Sequence, residues 1–341
     1  MIFDTGKWTR LFFLLPGLLC ALPGCGRAAK APMSSLVLER TIPLADVSGR
    51  IDHMDIDVGR KRLFVAELGN GSLEVIDLAT GQAVHRIGGL KEPQGVGYAP
   101  AADMIAVTSA KDGTVQLFRA ADFSTVSTVD LGDDADNVRL DARSGRFVVG
   151  YGSGGLAVLD PTSRSVVSRT ELAAHPEGFR LDPVGPRAFV NLPDAHRIDV
   201  VDLVIGRQVA TWNVPNLRAN FPMALDESGA VLATVFRNPA RLVLLDTDTG
   251  AVRANLATGD DADDVFFDSK RHRIYVSCGE GMIDVFQQDG NGYRRLERIK
   301  TASGARTSLF VPELDRLFVA ARAGFFGFGS DAAILVFRPT P

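Results

Sequence analysis

From residue 36 to the C-terminus, short apolar runs alternate with breaks rich in Gly, Asn and Asp. The runs are β-branched and aromatic, too short for helices and bounded by turn residues, so they predict strands. They come in groups of four. The first run of each group ends in Asp57, Pro100, Asp141, Asp182, Asp226, Asp268 or Pro312, at spacings of 43, 41, 41, 44, 42 and 44 residues. A fixed period in this range with strand-like content predicts propeller blades. Second runs such as RLFVAEL (62–68), RAFVNLP (187–193) and RIYVSCG (273–279) are followed by third runs such as SLEVIDL (72–78) and RLVLLDT (241–247). Gly69-Asn70-Gly71, Asp112-Gly113 and Gly152–Gly155 lie between second and third runs, where tight hairpins need residues that tolerate positive φ.

Six groups contain a fourth run, but the seventh stops at Pro341 without one. An orphan run, LVLERTI (36–42), precedes the first group and would complete the seventh sheet. The predicted fold is therefore all-β: a seven-bladed β-propeller of four-stranded antiparallel blades, closed by strand 36–42 joining the C-terminal blade. Closure leaves no exposed inner edge, whereas an open solenoid would leave residues 36–42 unpaired. The predicted propeller domain is 36–341.

Composition narrows the class. A 46% hydrophobic, 23% charged chain is globular. The net charge of −4 and the lack of a basic stripe disfavour nucleic-acid binding, which needs cations to release counterions. Lys7 and Arg10 precede the apolar stretch LFFLLPGLLCAL (11–22), too short to span a bilayer and suited to a signal-peptide core. Leu22-Pro23-Gly24-Cys25 resembles a bacterial lipoprotein processing box, with Cys25 the lipidation site. Pro23 departs from the usual small residue there, and ordinary secretion with cleavage near Gly26 or Ala29, or an uncleaved anchor, stays open. Residues 1–24 are thus expected to be a signal peptide and 25–35 a flexible tether. The expected location is the cell envelope or periplasm, membrane-attached only through the lipid. Cys20, Cys25 and Cys278 are the only cysteines, so no internal disulfide is expected, and Cys278 reads as a small core residue.

The runs RLFVAE-LGNGSLEVIDLATG (62–81) and RIYVSCGEGMIDVF (273–286) are similar to the YVTN repeat: Tyr-Val-Thr-Asn, a Gly/Asn turn, then a Val-Ile-Asp strand. Over residues 36–339 the chain resembles the bacterial, exported YncE-like YVTN β-propeller family. The resemblance implies a seven-bladed exported propeller and no settled chemistry. Some relatives are associated with DNA, which the charge balance here speaks against.

Propellers bind ligands at the mouth of the central channel, where the loops leading into the first strands converge. Those loops carry His53, Gln94, Asn137, Glu177, Asn220, Asp264 and Arg306, and Arg139 lies on a first strand with Arg180 and Asp55 as possible compensating channel charges. The candidate ligand-binding set is His53, Gln94, Asn137, Arg139, Glu177, Asp264 and Arg306. Solvated turn residues are the plain alternative, since Asp and Asn favour turns. Their variety within a regular array points instead to an asymmetric ligand. Oxygens of Asn137, Glu177 and Asp264 are a candidate set for Ca²⁺ or another divalent ion, comparable to that of six-bladed lactonase-type propellers, a different fold. His175-Pro176-Glu177 reads as a structured turn, and Arg197, Arg237 and Arg241 as surface cations or an anion site.

The chain holds no GxSxG, P-loop, CxxC or CxxCH motif, which excludes a covalently attached haem. The expected function is a monomeric binding or scaffold module presenting its channel mouth to a small molecule or protein partner, with no firmly implied cofactor. The alternatives are a lactonase-like hydrolase using a mouth ion with His53 or Glu177 as base, and the propeller subunit of a quinoprotein-like dehydrogenase.

Overall fold

The second strand of each repeat is apolar without alternation because both of its faces are covered. In Arg62–Glu67, Met104–Ser109 and Arg273–Cys278 nearly every residue is buried, as expected for sheets stacked face to face. The fourth strands, such as Gln82–Gly88, are largely exposed. Burial therefore runs from the middle of each sheet outwards, and a common axis lies beside the first strands.

The computed structural model describes residues 34–290, 292–324 and 331–341. The expected signal peptide and Cys25 lie outside them, as does the 25–33 part of the tether. The described residues form seven four-stranded antiparallel sheets. Blade 1 comprises Met54–Asp57, Arg62–Glu67, Ser72–Asp77 and Gln82–Gly88. The inner strands of blades 2 to 6 are Pro93–Ala99, Ala135–Asp141, Phe179–Leu181, Arg218–Leu225 and Ala262–Asp268. Blade 7 is built from Ser308–Val311, Arg316–Ala321, Ala333–Pro339 and, outermost, Leu36–Pro43.

The closing strand pairs Leu36 with Pro339 and Ile42 with Ile334, with a bulge between Leu38 and Arg40. Leu36 and Ile42 are buried. Blade 6 latches the two strands of the closing ladder: Arg273 donates to the carbonyls of Thr340 at 2.6 Å and Ser35 at 3.4 Å, and Glu297 accepts from the Ser35 amide at 2.7 Å.

The Asp that recurs at the end of five of the seven inner-strand runs has a structural role. Asp57 accepts the Arg60 amide at 3.0 Å, and Asp182 accepts those of Val184 and Gly185 at 3.0 and 3.1 Å, so each folds the next turn. Cys278 is fully buried in the core of blades 5 and 6, which pushes its thiol up to about 12.

A polar residue near the end of the second strand ties each of three blades to the next. Thr108 donates to the carbonyl of Asp136, and Ser277 and Ser308 share a bond of 2.7 Å. Asn191 is the most connected: its Nδ2 donates to Phe221 O at 3.0 Å and Thr234 Oγ1 at 3.1 Å, and its Oδ1 accepts from Asn220 at 2.8 Å. Asn191→Ala strands several buried polar groups at once, so a loss of about 2–4 kcal/mol in urea-measured stability is expected. A loss no larger than that of an exposed loop substitution would contradict the clamp.

Candidate functional site

The lead-in ends of four inner strands are bulged. Register slips between Pro93 and Val96, Ala135 and Val138, Asn220 and Met223, and Ala262 and Asp264. A bulge releases residues from strict in-out alternation and re-aims their side chains. Gln94, Asp136, Asn137 and Asp263 all sit in these bulges.

The inner strands of six blades surround a cavity of about 310 Å³ lined by His53, Asp55, Tyr98, Arg139, Arg180, Asp264, Phe266 and Ser308, with apolar neighbours. A smaller cavity of about 20 Å³, roughly the room for one water, is lined by His53, Asn137, Arg139, Glu177, Arg180, Asp263 and Asp264, with Phe221 to Met223 of blade 5. The two share His53, Arg139, Arg180 and Asp264, so these four form a polar layer between them.

Of the predicted site residues, the structure brings His53, Asn137, Arg139, Glu177 and Asp264 to this channel. Gln94 and Arg306 line neither cavity. The Gln94 carbonyl accepts the His53 amide at 3.1 Å. Arg306 is held by Asp261 at 2.5 Å and Asp263 at 3.1 Å. The three cations read as a possible anion site are also engaged: Arg197 by Asp199 at 2.9 Å, Arg237 by Asp263 at 2.6 Å and Arg241 by Asn255 at 2.6 Å. Arg180 entered the sequence reading only as a compensating charge, and no motif marks it.

Arg139 and Arg180 differ from Arg306, Arg197 and Arg237, which are paired with aspartates, and from Arg241, which lines neither cavity. Arg139 donates to the Val138 carbonyl at 2.7 Å and Asn137 Oδ1 at 2.9 Å, and its guanidinium stands 5.7 Å from the centre of the Phe179 ring. Arg180 donates to the Phe179 carbonyl at 3.0 Å. Neither forms an ion pair among the described residues. The compensation expected from Asp55 is therefore long-range, and its Oδ2 instead accepts the Tyr98 amide at 2.6 Å.

The electrostatics follow from that crowding. Burial, then the charge of Arg139, pushes Arg180 down to about 9. Burial also lowers Arg139. Burial, then Asp263, pushes Asp264 up to about 8, and burial pushes Asp55 up to about 6. His53 falls to about 4 through burial and Arg139, so it is neutral at physiological pH. At neutral pH Asp264 is largely protonated and Arg180 charged, so the polar layer holds no ionised carboxylate of its own to balance its cations.

The predicted ion set of Asn137, Glu177 and Asp264 shares one small cavity, yet two of its oxygens are engaged: Asn137 Oδ1 by Arg139, and Asp264 Oδ2 by the Ser308 amide at 2.7 Å. Glu177 is instead grouped with Asp136 and His175.

No family model matches the chain, and no curated protein matches it in sequence. Solved structures match in fold. Hydrazine synthase of Kuenenia stuttgartiensis superposes with a TM-score of 0.75 at 15% identity, covering 86% of this chain and 98% of that one. A chain of the mitotic checkpoint complex superposes with a TM-score of 0.75 at 13% identity, covering 97% and 100%. At such identities the likeness establishes the propeller alone.

Proposed function

We propose that this chain is a binding protein of the bacterial cell envelope whose channel takes up a small anionic molecule bearing a carboxylate or phosphate. One observation carries the reading: two arginines without ion-pair partners face a cavity of about 310 Å³. A buried cation left without a carboxylate is costly unless a ligand supplies the counter-charge, and guanidinium groups suit planar oxyanions. The cavity is at the lower end of the range for small-molecule sites. Tyr98, Phe266 and Leu309 give it apolar walls. The N-terminal pattern of residues 7–25 supports export and lipid attachment through Cys25, and the repeats at 62–81 and 273–286 support a YncE-like origin.

Calorimetric titration of the protein with phosphate, succinate and citrate tests this reading. Saturable binding of at least one anion, weakened in Arg180→Gln, is expected. Affinity should also fall as pH rises. Asp264 loses its proton near pH 8 and Arg180 near pH 9, so the layer changes from net cationic towards neutral. Binding at pH 6.5 is expected to be tighter than at pH 9 by about tenfold or more. Equal affinity for succinate at both values would remove Arg180 from the site.

A further inference from the structure

Glu177 belongs to a second cluster, which the anion site does not use. Asp136, in the bulge of blade 3, and His175 and Glu177, on either side of Pro176, place one donor atom each within 4.8 Å of one another. Asp136 and Glu177 accept no side-chain hydrogen bond among the described residues. Asp136 is left so although its side chain is only 8% exposed, and His175 Nε2 stands 3.6 Å from it. Two other acids near the mouth are paired with arginines: Asp263 with Arg237 and Arg306, and Asp52 with Arg50 at 2.8 Å.

The imidazole is oriented from behind. His175 Nδ1 donates to the Gly152 carbonyl at 2.6 Å, with Asp134 Oδ2 at 3.5 Å. This contact leaves Nε2 as the atom facing Asp136, in the manner of a metal-bound histidine held by an outer-shell acceptor. The backbone is fixed as well. The Glu177 amide donates to Asn191 O at 3.0 Å, Thr108 holds the Asp136 carbonyl, and a Cβ at Gly150 would approach Pro176 Cγ to 2.9 Å. Gly150 thus admits the His-Pro-Glu turn close to blade 3.

We infer that Asp136, His175 Nε2 and Glu177 form a mononuclear site for a divalent transition metal ion. One imidazole nitrogen with two carboxylate oxygens suits Zn²⁺, Co²⁺ or Mn²⁺. Ca²⁺ wants six to eight oxygens, and this cluster supplies a nitrogen in place of one. Glu177 also lines the smaller cavity, so the open coordination positions of the ion lie next to the channel. The inference is independent of what fills the larger cavity.

Titration of the purified full chain with Co²⁺, followed by its visible ligand-field bands, tests the site. One equivalent should bind, Zn²⁺ should displace it, and excess Ca²⁺ should not. His175→Ala and Glu177→Gln should each weaken Co²⁺ binding by about tenfold or more, while circular dichroism and thermal melting report that both variants stay folded. A wild-type chain without ligand-field bands would overturn the inference. So would bands that persist in folded His175→Ala, or displacement by Ca²⁺ as readily as by Zn²⁺.

Discussion

Deleting residues 34–43 is expected to abolish the cooperative unfolding transition of the propeller. The segment supplies the whole outer strand of blade 7 and the buried side chains of Leu36 and Ile42. Burial of two such aliphatic side chains is worth about 3–6 kcal/mol. The lost ladder to Ala333–Pro339 and the lost latch between Ser35 and Glu297 add to this. A native domain has only about 5–15 kcal/mol in total. The deletion also exposes the edge of Ala333–Pro339, a strand with mostly buried residues and therefore a template for aggregation. The point variant Ile42→Asp should act in the same direction, because it places a charge at a fully buried site against Ile334. Urea denaturation followed by circular dichroism checks both. An unchanged midpoint in the deletion variant would mean that the ring does not depend on its closing strand.

The double replacement Arg139→Met/Arg180→Met should do the opposite to stability while abolishing anion binding. Each arginine carries its charge into the channel without an ion-pair partner. Arg180 is pushed down to about 9, below its ordinary value. For such a cation the unfolded chain holds the proton more tightly, so the charge lowers stability across the neutral range and the penalty is relieved only as pH rises above 9. Replacing buried charges by apolar side chains of similar volume commonly gains about 1–4 kcal/mol. A higher melting temperature together with lost phosphate or carboxylate binding is therefore expected, the pattern of residues retained for a ligand at the expense of stability. A double variant that melts lower than the parent would show the arginines to be structural.

The fold was legible because a propeller writes itself into the sequence seven times. The spacing of Asp57, Pro100, Asp141 and their counterparts, the missing last strand and the orphan at 36–42 together specify ring, blade number and closure. The site was only partly legible. His53, Asn137, Arg139, Glu177 and Asp264 reach the channel because rotational repetition gathers their loops. Gln94 and Arg306 do not, although they hold equivalent places in the repeat: Arg306 is drawn to Asp261 and Asp263, and the bulges that hold Gln94 and Asn137 depend on strand pairing that no local pattern reports. Pairing of charges is hidden for the same reason. Arg237 and Arg180 look alike in the sequence, but only Arg237 finds an aspartate, Asp263 from the neighbouring blade. His175 looked like a turn residue, and the carbonyl of Gly152 that orients it lies 23 positions away.

Anomalous diffraction from crystals of the protein soaked in bromide locates anions directly. A bromide is expected inside the channel, in contact with the guanidinium groups of Arg139 and Arg180. Bromide confined to outer surfaces, with none between these two side chains, would contradict it.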